Sequence, residues 1–125
     1  MESQNIHGHY ADRELALLYL EKSDNELALE HAQAEYNRRP NNIDVTQTLA
    51  WVHYKRSEYL EANKLIEVAL KTNSKNPVLL YQAGLIKVKN GNHVEGIALM
   101  NDALNINPFL DIRLKEEGAQ YLATR

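Results

Sequence analysis

Few residues in this chain have the type and spacing for chemistry. His7 and His9 stand two apart, with Asp12 three further on. Two neutral imidazoles and a carboxylate are donors that can hold a divalent ion. The pattern is short and unspecific, and a place in a tail or at a helix start is the simpler reading. His31 and Glu35 are four apart, so on a helix they would form a hydrogen-bonded pair or share a ligand. His53 falls on an apolar side and reads as a satisfied core histidine, while His93 follows a cap and reads as solvated. There is no Cys, which removes thiolate metal sites, disulfides and a Cys nucleophile. Gly-x-Ser-x-Gly, a Gly-rich phosphate loop and His-Glu-x-x-His are all missing. The expectation is a chain with no catalytic residues, no metal site and no cofactor.

Recognition is better represented than catalysis. Trp51 lies two residues past Leu49 and so points away from the Leu49, Val52 and His53 stripe. Trp and Tyr are enriched at binding hot spots, which makes Trp51, Tyr54 and Tyr81 the informative aromatics. The competing reading for Trp51 is inner-surface filling against Leu17 and Leu85.

The bulk numbers fit a folded chain of one domain. Of 125 residues, 44% are hydrophobic and 25% charged, unlike a disordered sequence. Five Gly and three Pro leave little room for long loops, and the abundance of Ala, Leu, Glu, Lys and Gln favours helix. A formal net charge of −3 with no basic block argues against nucleic acid and anionic membrane. No apolar run is long enough to cross a bilayer. The polar N-terminus lacks a secretory layout, although a processed chain would lack one too, so the compartment stays open, with a soluble, cytoplasmic setting favoured.

Read in order, the chain predicts about seven helices. Residues 1–8 form a tail. A first helix from His9 or Tyr10 carries Leu15, Leu18, Tyr19 and Lys22 on one side, with Ala16 beside them. Ser23-Asp24-Asn25 breaks it, and Asp24 caps a second helix that stops at Pro40. The third runs from Ile43 to Arg56, with Val45, Leu49, Ala50, Val52 and His53 packed. The fourth, Tyr59 to Thr72, packs Ala62, Leu65, Ile66, Ala69 and Leu70, and turns Glu61, Lys64, Glu67 and Lys71 to solvent. Asn76-Pro77 opens the fifth, which Asn90-Gly91 closes. Asn92 with Glu95 approaches a capping box for the sixth. A last helix from about Asp111 to Ala123 shows Ile112, Leu114, Ala119 and Leu122 on one side.

Sliding the sequence by 34 residues aligns Ala16, Ala50 and Gly84, and likewise Ala28, Ala62 and Gly96. Tyr36, Leu70 and Leu104 match near the end of each unit. Small residues recur where helices cross closely, and one helix pair cannot bury its apolar face alone, so units must stack. The pattern resembles the tetratricopeptide repeat, best in the middle unit at Leu49, Ala50, Tyr59, Ala62, Ala69 and Leu70. Departures stand at Asp12, Thr46 and Leu80, where the family often has Trp. Glu35 replaces a small residue, and His53 and Lys87 replace the aromatic seen as Tyr19.

The resemblance implies an all-α, right-handed α-solenoid of antiparallel helix pairs. Its repeats would span about 9–42, 43–76 and 77–110, in a single domain over 9–125, with a capping helix at about 111–123. It also implies a concave groove lined by the first helix of each pair, which binds a peptide or protein segment. Carried onto this chain, the groove residues are Arg13, Leu17, Gln47, Thr48, Trp51, Tyr54, Lys55, Tyr81, Gln82 and Leu85, with Leu20, Val78 and Val88 beside them. A family subclass grips a carboxylate-ended tail with Lys, Arg and Asn. Here Leu17, Thr48, Val78 and Gln82 fill those places and only Arg13 fits, so apolar anchoring of an extended or helical ligand is expected instead. The expected protein is a non-catalytic interaction scaffold with a protein or peptide partner, no nucleic acid and no membrane, as a monomer or weak homodimer. The alternative is a structural or self-association module, including the C-terminal end of a longer array.

Overall fold

The composition that favours helix yields helix. A computed structural model describes residues 8–123, with side chains from 12 to 122. The described residues form seven helices and no strand. In order they are α1 (Gly8–Glu21), α2 (Asn25–Arg38), α3 (Ile43–Lys55), α4 (Tyr59–Leu70), α5 (Pro77–Lys89), α6 (His93–Ile106) and α7 (Ile112–Ala123). The metal-like group of His7 and the His9 side chain lies outside the described residues, as does the expected tail up to residue 7.

Local chemistry explains where these helices start and stop. The Asp24 carboxylate accepts from the Leu27 N–H at 3.2 Å, Asn42 from Val45 at 3.0 Å and Asn76 from Val78 at 2.9 Å. Each satisfies a donor that the first helical turn leaves open. Asn92 holds the same position before α6 but makes no side-chain cap bond, so the expected capping box does not form.

The turns within the helix pairs repeat one motif. Ser23, Ser57 and Gly91 have φ of 62°, 64° and 92°, and each stands 34 residues from the next. Their N–H groups donate to Leu20, Tyr54 and Val88 at 3.1, 2.9 and 3.0 Å. The following residues, Asp24, Glu58 and Asn92, donate to Tyr19, His53 and Lys87 at 2.8, 2.8 and 2.9 Å. This paired arrangement is the Schellman motif, which closes a helix through one left-handed residue.

The chain divides into two compact units, residues 1–65 and 66–125, with the division inside α4. In the first, α2 packs against α1 and α3, and α1 also meets α3. The core is Ala16, Ala28, Ala32, Leu49 and Val52, surrounded by Tyr19, Leu20, Leu29, Tyr36 and Leu65. The inner side of α1 is therefore Ala16, Tyr19 and Leu20, whereas Leu18 and Lys22 of the expected stripe face solvent.

In the second unit α5 packs on α6, and α7 lies against both. A Cβ placed on Gly84 would sit 2.5 Å from the Gly96 carbonyl oxygen, and one on Gly96 would sit 2.6 Å from that of Gly84. The two backbones touch, which is why both positions lack a side chain. On α7 the buried small residue is Gly118; Ala119 and Ile112, expected on the packed side, are exposed. Gly118 stands 34 residues after Gly84 and continues the Ala16, Ala50, Gly84 register into the last helix.

Candidate functional site

The side-by-side placement of α1 and α3 brings several expected groove residues of the first unit together. Arg13 on α1 donates from Nε to the Thr48 hydroxyl on α3 at 3.1 Å. Thr48 in turn donates to the Asp44 carbonyl at 2.9 Å, which holds the acceptor for Arg13 in place. On α3, residues three and four apart share a face, so Trp51, Tyr54 and Lys55 cluster.

The Trp51 and Tyr54 rings stack with centroids 4.6 Å apart and planes 9° apart. Tyr54 meets Tyr59 at 5.7 Å and 55°. The Lys55 ammonium lies 5.0 Å from the Trp51 ring centre and 5.9 Å from that of Tyr54, an attraction worth about 0.5–1 kcal/mol at an exposed site and more when desolvated. Trp51 and Tyr54 are 8% and 7% exposed, so these aromatics form a floor rather than projections. Gln47 and Thr48 are also buried. Arg13 and Lys55 are half-buried, and Leu17 is 37% exposed. The seam thus offers Lys55 over an aromatic layer, Arg13 bonded to Thr48 of the same helix as those rings, and the partly exposed Leu17 one turn after Arg13 on α1.

The expected groove residues of the second unit are placed differently. Leu85 and Tyr81 are fully buried, and Gln82 is nearly so. The Tyr81 hydroxyl donates to the Lys115 carbonyl of α7 at 2.9 Å. Burial pushes its phenol pKa above the ordinary value, and the Glu117 carboxylate adds to this, so the hydroxyl stays a donor. The reading of Tyr81 as a contact residue is corrected to one of an anchor for α7, and Leu85 to a core residue.

Sequence reasoning missed a charged cluster on the first helix pair. His31 Nδ1 lies 2.8 Å from Asp12 Oδ1, and its ring stacks on Tyr19 at 5.6 Å. Arg38 donates to both Asp12 and Glu35 at 2.6 Å, and Arg39 donates to Glu35 at 3.0 Å. The expected His31 and Glu35 pair is therefore replaced by His31 with Asp12 and Glu35 with two arginines. Burial raises the Asp12 pKa, but hydrogen bonds from His31 and Arg38 outweigh it and hold the carboxyl below its usual value. Asp12 was visible beforehand as a departure from the aromatic expected there, and a charge at that position needs a partner.

Lys87 was visible in the same way. It is buried and pairs with Glu67 of α4, which was expected on the solvated face. Its register with Tyr19 and His53 marked the position as internal. His53 behaves as expected: its Nδ1 lies 2.8 Å from Glu58, which also accepts from Arg56 at 3.0 Å. The Arg56 bond is the main cause of a lowered Glu58 pKa, with burial opposing it and His53 assisting. His93 is exposed, with its ring 6.4 Å from that of Tyr121. Among the described residues no three His, Asp or Glu side chains gather as a metal site, and no helix is long and apolar enough to cross a membrane.

The profile of the family described as anaphase-promoting complex, cyclosome, subunit 3 matches residues 9–103. This span runs from α1 into α6; the tetratricopeptide-type assignment and the all-helical solenoid class both hold. No curated protein matches the chain.

Proposed function

Because this chain belongs to the anaphase-promoting complex, cyclosome, subunit 3 family of helical repeats, we propose that it is a non-catalytic scaffold that receives a peptide or protein segment along the α1 and α3 seam. Repeats of this type usually mediate protein–protein interaction, and the family's description is that of a subunit of a complex, which suits a scaffold.

The observation that carries the reading is the layering of Lys55 over the Trp51 and Tyr54 stack, with Arg13 held beside it by Thr48. A segment lying here would meet Leu17 as an apolar anchor, and Arg13 and Lys55 as charged guides. The aromatic floor is stiff, so little side-chain entropy is lost on binding. Tyr81, Gln82 and Leu85 support the architecture from within.

The test is selection from a random peptide library on the wild-type chain. Selected peptides should lose binding to a Leu17→Asp, Lys55→Glu variant whose helicity by circular dichroism is unchanged. Peptides that bind both proteins equally would remove the seam as the site.

A further inference from the structure

We propose that the second unit takes an amphipathic helix of another protein into the hollow beside α6, and that this helix alternates apolar residues with arginines or lysines on its buried face. The hollow is lined only by residues of the second unit, so this inference does not depend on the α1 and α3 seam.

The hollow is an open groove of about 660 Å³. Leu70 at the end of α4 and the loop after it form one side, the buried Leu80 of α5 lies at its base, and α6 forms the other side. From α6 it is lined by Glu95, Leu99, Asp102 and Ile106, which stand four, three and four residues apart. That spacing sets them in one stripe along the helix. The stripe is about 16 Å long, with steps averaging about 5 Å. An extended peptide repeats its same-face side chains every ~7 Å and falls out of register within three steps. A helix whose own face recurs every three and four residues keeps step with it.

Charge says which helix. The two acids of α6 both line the hollow, and α6 has no Lys or Arg. Neither carboxylate has an ion pair or a side-chain hydrogen bond among the described residues. Glu95 stands in the first turn, where the helix dipole favours an acid. Asp102 lacks that reason: it is exposed in the second half of α6, and Asp is a poor residue for a helix interior. A residue that serves neither its helix nor a neighbour marks a functional surface, and this one lies between Leu99 and Ile106. Leu99 is half-buried and Ile106 48% exposed, so both can add contacts between the charges. Lys75 stands across the hollow, while Lys71, exposed beside Leu70, does not line it. The partner's cations therefore face α6, each opposite an acid, with Leu or Ile between them.

The probe is a fluorescein-labelled, Ala-based helical peptide of about 16 residues, carrying Arg and Leu at the spacing of the α6 stripe. Fluorescence anisotropy is read with the full chain at about 0.15 M salt, which screens attraction that needs no contact. The wild type should bind this peptide at least tenfold more tightly than a scrambled peptide of the same composition. A Glu95→Lys, Asp102→Lys variant, changed only at exposed positions, should keep its helicity, lose affinity at least tenfold and gain affinity for a peptide with Glu in place of Arg. The seam variant Leu17→Asp, Lys55→Glu should bind the Arg peptide like the wild type. No binding to the wild type, equal binding of the scrambled peptide, equal binding by the α6 variant or loss in the seam variant would each overturn the proposal. So would equal binding of a peptide broken by a central proline, which would make the occupant extended. Self-association of the wild type that the α6 changes abolish would put a second copy in the hollow, with the same consequence.

Discussion

The Tyr81 hydroxyl and the Lys115 carbonyl, 2.9 Å apart in space, are separated by 34 residues in sequence, one repeat period. Helix α7 thus meets α5 as the next first helix in the series, and Gly118 sits where that contact is tightest. A Cβ there would run into the Tyr81 hydroxyl and the Met100 sulfur. Gly118→Val should destabilise by about 2–3 kcal/mol, the range for overpacking a filled interior, by lifting α7. Tyr81→Phe should cost about 1 kcal/mol through the lost hydrogen bond. Native-state hydrogen exchange would show the α7 amides losing protection first in the Gly118 variant. If those amides keep wild-type protection, α7 is held by something other than this contact.

The Gly84 and Gly96 crossing sets local propensity against packing. Replacing either Gly by Ala within a helix favours the helix by about 1 kcal/mol. The added carbon, however, meets a carbonyl oxygen of the other helix at 2.5 or 2.6 Å, and backbone cannot yield as a flexible side chain does. Gly84→Ala and Gly96→Ala should each destabilise by a net ~1–3 kcal/mol, read from the midpoint of urea unfolding. A gain in stability would mean that α5 and α6 can separate at small cost.

The crossings were legible in the sequence because they depend on size at a fixed interval. Ala16 with Ala28, Ala50 with Ala62 and Gly84 with Gly96 each repeat one spacing, and a larger side chain at any of them would hold the helices apart. The left-handed turns were legible only in part: Gly91 announces its conformation, while Ser23 and Ser57 adopt it without the residue that prefers it. Partners of charged residues were not legible. Asp12 reaches Arg38 across 26 positions, and Lys87 reaches Glu67 across 20; such pairs follow from tertiary packing rather than from neighbours on one helix. The site was read from the exposed face of an idealised helix, and this misled at Tyr81 and Leu85, since α5 is buried along nearly its whole length.

Ser57 occupies a conformation that disfavours any residue with a Cβ, and the equivalent place in the third repeat already has Gly91. A left-handed residue other than Gly costs about 1–2 kcal/mol, part of which is offset by the extra freedom Gly gives the unfolded chain. Ser57→Gly should therefore stabilise by about 0.5–1 kcal/mol, and Gly91→Ser should destabilise by a similar amount. Thermal unfolding of the two variants checks both signs. A Ser57→Gly variant that melts below wild type would point to a role for the serine hydroxyl that outweighs the backbone gain.

Asp12 should make stability depend on acid in one window. Its carboxyl pKa is lowered in the folded chain, against an unfolded value of about 3.9. A group with a depressed folded pKa contributes fully above the unfolded value, and the contribution fades as pH falls through the folded one. At pH 7, Asp12→Asn should thus cost about 1–2 kcal/mol, the scale of hydrogen bonds to a charged group that is partly open to solvent. As the pH drops below about 4 the wild type loses this advantage, and the two proteins should converge. Urea unfolding of both at pH 7 and at a pH well below the carboxylate range measures the gap directly. A gap of the same size at both would place the cost of Asp12→Asn in packing rather than in the charge shared with His31 and Arg38.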